Sequence, residues 1–250
     1  MASLETDDWT FVPVKKGRKR GQQLETPAHD LFSIDNDATV DVIRAQLDQH
    51  RARWLKNDLR PSIFKCFKNL NLADRPSVTC AICMGVGSLC SNNLEHRGRS
   101  MTQLAVFLDI AKHLEGLYAS TIDLYAQEPR LTAIDNELLT SLGFTTLHLA
   151  KDHGRDKTIG PAAKYINEHT FVADFFVDIA ITQQMASFKI GLLTSALPMA
   201  IENGTGSTVP TRDLWRKQYR WCKLTSNDKD EPALSGLYAC VLNEEEDTEE

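Results

Sequence analysis

The strongest constraint on the fold lies between Ser77 and Ser88. Val78-Thr79-Cys80-Ala81-Ile82-Cys83-Met84 is a short, nearly continuous apolar run, and Gly85-Val86-Gly87-Ser88 ends it. A run of this length, with Pro76 ahead of it and glycines behind, reads as a strand buried on both faces. Such a strand needs cover on both sides, which the helices of a parallel sheet supply. The flanking sequence should therefore alternate between helix and strand.

It does. After a polar loop, Ser100-Met101-Thr102-Gln103 has the pattern of a capping box. Leu104, Phe107, Leu108 and Ala111 then fall at amphipathic-helix spacing. Thr121–Ala126 reads as a second strand. Leu131, Ile134, Leu138 and Leu142 mark the next helix, with Gly143 in the position that ends it. Thr145–Ala150 is the third strand, and Pro161 opens a short helix running to Glu168. Thr170–Val177 is the fourth strand, and Ile181, Met185, Phe188 and Leu192 mark the helix behind it. Leu197–Ile201 is expected as a fifth strand and Gly236–Leu242 as a sixth. Ahead of the first strand, Ala38–Lys56 is helical, with Val40, Ile43, Leu47 and Trp54-Leu55 recurring. Pro61 breaks the chain there, and Ser62–Leu72 forms a second helix with Ile63, Phe64 and Phe67 inward. The expected class is α/β: a Rossmann-like, mostly parallel sheet with helices on both faces and an N-terminal helical extension. Ligand sites in such sheets lie at the carboxyl ends of the strands.

The 250 residues carry a net charge of −6. That argues against bulk binding to nucleic acid, which needs a basic face. Residues 1–37 lack periodicity and hold Lys15, Lys16, Arg18, Lys19 and Arg20. They read as a flexible arm with a solvated basic cluster, the alternatives being a nuclear signal or a nucleic-acid patch. Residues 38–242 are expected to form one domain, and 243–250 an acidic tail. No apolar stretch is long enough to span a bilayer, so no membrane is expected. Glu5, Asp7 and Asp8 do not fit a secretory signal. The expectation is a reduced intracellular compartment, cytoplasmic with the nucleus as a second location. Free thiols at Cys66, Cys80, Cys83, Cys90, Cys222 and Cys240 follow from it, and Asn203-Gly204-Thr205 then carries no glycan.

The candidate chemistry gathers at the glycines. Gly85 and Gly87 let backbone amides approach a phosphate, and Ser88 adds a hydroxyl. Arg97 and Arg99 are placed to pair with phosphate or carboxylate oxygens. The dinucleotide fingerprint is incomplete. Cys90 stands where its third glycine belongs, Leu89–Arg99 intervenes before the helix, and no Gly-Lys-Ser/Thr ending is present. A tight strand-end turn without ligand is the alternative. Glu128, just past the second strand, is placed for the ribose hydroxyls of a dinucleotide or adenosyl group; a surface acid before Pro129 is the plainer reading. Cys80 and Cys83 point to opposite faces of a strand, so they read as buried thiols rather than a metal or redox pair. No metal site is expected. His148, His153 and His169 lie near loops as single candidate bases, and no nucleophile elbow or paired-carboxylate pattern accompanies them.

A family resemblance rests on these residues. Cys83-Met84-Gly85-Val86-Gly87-Ser88, followed by Ser100-Met101-Thr102-Gln103-Leu104, resembles the opening of the Sensitivity to Red Light Reduced (SRR1-like) domain. Tyr125-Ala126-Gln127-Glu128-Pro129, with Asp135 and Leu138-Leu139-Thr140-Ser141-Leu142-Gly143, is similar to its next segment. Asp8-Trp9-Thr10-Phe11-Val12 with the basic run behind it resembles the arm of fungal members. Ile201-Glu202-Asn203 is similar to a later strand-end asparagine, which adds Asn203 to the candidate ligand residues. The resemblance covers roughly Ser62 to Asn203. Where many members end the fourth strand in Pro-His, this chain has Asp174-Phe175-Phe176, so no histidine chemistry carries over. The resemblance implies links to circadian and light signalling, cytoskeletal stress and haem metabolism, with no assigned reaction and no known cofactor. Two functional expectations follow. The first is a regulatory protein binding a partner or a small anionic ligand at the strand ends. The alternative is a Rossmann-like enzyme, methyltransferase-like or an oxidoreductase, using a nucleotide-derived cofactor.

Overall fold

The computed structural model describes residues 33–35, 37–149, 158–175, 177–185, 187–195, 217–224 and 232–243. Among the described residues seven strands form one sheet: β1 (Cys80–Met84), β2 (Asp123–Gln127), β3 (Phe144–Thr146), β4 (Thr170–Asp174), β5 (Leu192–Ser195), β6 (Tyr219–Lys223) and β7 (Tyr238–Leu242). Their order is β3-β2-β1-β4-β5-β7-β6. The first five run parallel, and β7 runs antiparallel to both β5 and β6. The described helices are α1 (Val40–Trp54), α2 (Leu59–Asn69), α3 (Leu94–Tyr118), α4 (Ala133–Ser141) and α5 (Ile179–Met185). This is the mixed α/β class, with a mostly parallel sheet and an N-terminal helical region.

The composition of β1 follows from its place. Ala81 and Cys83 face a core shared with α1 to α4, while Ile82 and Met84 face a second core with Ile159, Ala162, Ile166 and Met185. Neither face meets water, so no polar alternation is needed. α1 packs on both α3 and α4. Asp109 of α3 fastens the helical extension: it accepts from Trp54 Nε1 at 2.9 Å and from the Arg60 guanidinium at 2.7 and 3.1 Å.

Several boundaries differ from the sequence expectation. α3 begins six residues before Ser100, capped by Asn93, whose side chain accepts from His96 N at 3.0 Å. Pro61 does not break the chain. It sits in the first turn of α2, where a missing N–H costs nothing. The fifth described strand is Leu192–Ser195; the strand expected at 197–201 lies outside the described residues. Leu192 belongs to β5 because α5 ends at Met185 and the chain enters that strand through Gly191. A Cβ there would stand 2.3 Å from Glu168 O. β6 was not expected at all. It is an edge strand with only Tyr219 buried, and that hydroxyl donates to Phe188 O at 2.7 Å.

The expectation of free thiols throughout is corrected at two positions. Cys66 of α2 and Cys222 of β6 form a disulfide, with Cα atoms 6.1 Å apart and a sequence separation of 156. Tertiary packing alone brings them together. Cys80, Cys83, Cys90 and Cys240 are free.

Phe107 of α3 joins helix layer to sheet. It is fully buried, stacked on Phe171 of β4 at 5.4 Å between ring centroids, and 5.7 Å from Phe144 of β3. Phe107→Ala is expected to cost about 3–5 kcal/mol of folding free energy, read from urea denaturation.

Candidate functional site

The strand order reverses between β1 and β4, so a crevice opens at their carboxyl ends. A cavity of about 420 Å³ lies there. Gly85–Ser88 line it after β1, Arg130 after β2 and Phe175 after β4. His96, Arg99, Ser100 and Gln103 of α3 line it too, with Ser33, Ile34 and Ser91 from the segments beside it.

Both glycines of the turn have positive φ, +71° at Gly85 and +77° at Gly87. A side chain on Gly85 would meet Phe175 O at 2.7 Å, so that glycine lets β1 pack against the exit of β4. A Cβ on Gly87 would stand 2.8 Å from Ser100 Oγ, so that glycine brings the turn onto α3. The Gly87 amide does not face open solvent. It donates to Glu128 Oε2 at 3.1 Å, while Glu128 Oε1 accepts from Arg130 N at 3.0 Å. Burial pushes the Glu128 carboxyl above its ordinary value, opposed by these two amides and by the Arg130 charge. The anion at the Gly87 amide is therefore the chain's own carboxylate.

The rest of the turn is clamped by Asp135, which is fully buried at the third position of α4. It accepts from Ser88 Oγ at 2.8 Å, Leu89 N at 3.0 Å, Cys90 Sγ at 3.3 Å and Thr132 N at 2.8 Å. The hydroxyl proton of Ser88 is thus committed to Asp135. Arg97 turns away from the cavity. Its guanidinium donates to Asp35 Oδ2 at 2.7 Å and to Ser91 O at 2.7 Å. This pairing holds the Asp35 carboxyl below its ordinary value. Ile34 bridges to Ser91, and Asp35 N donates to Cys90 O at 2.9 Å, so the chain ahead of α1 lies along the loop.

Of the residues singled out from sequence, Gly85, Gly87, Ser88 and Arg99 line one cavity, and Glu128 is bonded to the turn beside them. Arg97 is spent on Asp35, and Asn203 lies outside the described residues. His96, Ser100, Gln103 and Arg130 were not singled out. The first three needed the true start of α3, which sets their shared face. His148 is exposed, His169 Nδ1 lies 2.9 Å from Ser77 O, and His153 is outside the described residues. Cys80 packs against one core and Cys83 sits in the other. Burial pushes the Cys80 thiol up to about 11 and the Cys83 thiol higher still. Among the described residues no cluster of metal-ligating side chains is present. No described helix is long and apolar enough to cross a membrane.

A second buried carboxylate ends β4. Asp174 Oδ2 accepts from Thr182 Oγ1 at 2.8 Å and Ser195 Oγ at 2.7 Å, and Oδ1 accepts from Val177 N at 3.1 Å. Burial pushes this carboxyl above its ordinary value, with the three hydrogen bonds pulling the other way. It fastens β5 and α5 to the end of β4.

A family model for the SRR1 domain matches residues 43–232. The match spans β1 to β6 and leaves out β7 and residues 33–35. No curated protein and no solved structure matches the chain.

Two outcomes follow from the carboxylates. Asp135→Ala strands four donors and is expected to cost about 3–5 kcal/mol of stability, measured by urea denaturation. Asp174 holds its proton more tightly folded than unfolded, so it subtracts stability as pH rises from about 3.8 to its raised value and adds no further change above it. Asp174→Asn cannot ionise, and the hydroxyls of Thr182 and Ser195 can turn to accept from its amide. Denaturation midpoints across that window should show wild type losing ground to the variant as pH rises.

Proposed function

The chain belongs to the SRR1 domain family, and we propose that it is a regulatory protein whose strand-end pocket binds a small anionic ligand without turning it over. One observation carries this reading: a cavity of about 420 Å³ at the reversal of strand order, lined by the glycine turn, Arg99 and Arg130. Its size falls within the usual range for small-molecule sites, and two guanidinium groups, that of Arg99 also pairing with the exposed Glu95 at 3.4 Å, favour an anion. The side chains around it are suited to holding rather than attacking. Ser88 gives its proton to Asp135, and burial keeps the Cys90 thiol protonated, pushed up to about 12. The proposed protein works inside the cell, with residues 38–242 as its folded unit and residues 33–35 packed against it at the pocket. The family's links to light signalling, cytoskeletal stress and haem metabolism fit such a sensor.

A second reading has its own observation. A Rossmann-like sheet in this strand order, with only its seventh strand reversed, is also the frame of many methyltransferases, a likeness of fold alone. Glu128 stands at the tip of β2, where such sheets hold ribose hydroxyls. Under that reading S-adenosylmethionine binds the pocket and is consumed.

Thermal unfolding of the purified chain with nucleotides, dinucleotides, S-adenosylmethionine and haem separates these readings. A ligand at a hundred times its Kd adds about 2.7 kcal/mol, which moves Tm by several degrees. The expected result is a shift with an anionic compound that Arg99→Ala/Arg130→Ala loses, with no consumption of the compound. A shift kept by the double variant places the ligand elsewhere. No shift with any compound overturns the small-ligand reading in favour of a protein partner.

A further inference from the structure

His96, Arg99, Ser100 and Gln103 recur at i, i+3, i+4 and i+7, so they share one face of α3, and all four line the cavity. A helix face turned toward the sheet is ordinarily apolar. This one is polar and, at its inner end, buried: Ser100 is 5% exposed and Gln103 2%. Gln103 Nε2 donates to Ala233 O at 3.0 Å, which fixes the side-chain amide and leaves Oε1 as an acceptor. Among the described residues neither Gln103 Oε1 nor Ser100 Oγ has a hydrogen-bond partner. The Ser100 hydroxyl is aimed at the glycine turn, close to Gly87. Both atoms open onto the cavity rather than being closed off from solvent, so a bound molecule there can take the place of water as their partner.

We propose that Ser100 and Gln103 are the inner, specificity-determining contacts of the pocket, and that its ligand is a small organic anion carrying hydroxyl groups. This rests on the ligand-pocket reading above and names the chemistry of its occupant. Gln103 Oε1 only accepts, so the ligand must bring a donor to it. Ser100 both donates and accepts, which suits a neighbouring hydroxyl. The anionic end cannot sit on the Gly87 amide, because Glu128 already occupies that position. It lies instead toward Arg99, Arg130 and His96, on the outer side of the same cavity. A hydroxyl-bearing phosphate and a hydroxyl-bearing carboxylate share this pattern.

Titration calorimetry distinguishes them. The probes are adenosine 5′-monophosphate and ribose 5-phosphate for the phosphates and S-adenosylhomocysteine for the carboxylate. Pyrophosphate, without hydroxyls on carbon, and adenosine, without an anionic group, are the incomplete controls. At least one complete probe should bind wild type more tightly than both controls. Ser100→Ala and Gln103→Leu should each weaken it by about tenfold or more, the usual effect of losing a hydrogen bond to a bound molecule. Ligand-free Ser100→Ala should melt no lower than wild type, because its hydroxyl has no partner to lose. A lower ligand-free Tm for Ser100→Ala overturns the inference, since the hydroxyl would then serve the fold. A probe that binds both inner variants as tightly as wild type, yet is lost in Arg99→Ala/Arg130→Ala, overturns the inner contacts and leaves the pocket reading standing. Failure of every probe to bind wild type overturns the ligand class.

Discussion

Asp135 has no side-chain surface open to water, and a carboxylate so placed is tolerable only because four donors surround it. Three of those donors belong to consecutive residues of the glycine turn, Ser88, Leu89 and Cys90. The fourth, the Thr132 amide, belongs to the cap of α4. One buried carboxyl group therefore fixes the loop after β1 to the helix after β2. The Thr132 side chain completes the arrangement by accepting from the Asp135 amide at 3.1 Å. With the loop held this way, the following residues reach Asn93 in position to start α3, and α3 presents its polar face to the crevice. The pocket is a consequence of the clamp.

The same geometry explains why the glycine turn departs from a dinucleotide site. In such a site the turn's amides face a pyrophosphate and the acidic residue of β2 faces a ribose. Here the two are joined, Gly87 N to Glu128 Oε2. The carboxylate satisfies the amide that a phosphate would need, and its charge opposes any second anion there. The positive charge of the site stands elsewhere, on Arg130 and on Arg99, the latter paired at the surface with Glu95. A chain of net charge −6 thus keeps a local cationic wall, paired with a carboxylate on the other side of the turn. That polarity is the basis on which the proposed ligand has one anionic end and one hydroxyl-bearing end.

How much of this was legible depends on the range of each interaction. β1 was readable because burial on both faces leaves an unmistakable run, and Gly143, at φ +88°, ended α4's segment as its position requires. The start of α3 was misread because Ser100-x-x-Gln103 has the spacing of a capping box, and sequence cannot tell a cap from two polar residues one helical turn apart. Asn93 was the cap, and its signal was hidden in a polar loop. Arg97 and Arg99 are two residues apart and so lie on different sides of α3; only with the helix start known does one face Asp35 and the other the cavity. Glu128 reads from sequence most plainly as a surface acid before Pro129, yet adjacent parallel strands bring its strand end and the glycine turn together whatever the chain length between them. The Cys66–Cys222 pairing and the edge strand β6 are tertiary facts with no local signature.

Residues 33–35 sit in the stretch whose composition reads as an arm, and they lie ahead of the matched family domain. They are nonetheless built into the site. Ser33 and Ile34 line the cavity, and Arg97 holds them there through Asp35. Ile34 remains 45% exposed at that position, an apolar side chain kept at the cavity rather than in either core. Arg97 thus acts on the pocket without touching its contents, by setting where the chain that borders it must run. The strand-end scaffold and Asp135 define the inner half of the site, α3 supplies its polar face, and this short segment closes the outer edge. A deletion drawn at the domain boundary would remove part of the wall as well as the arm.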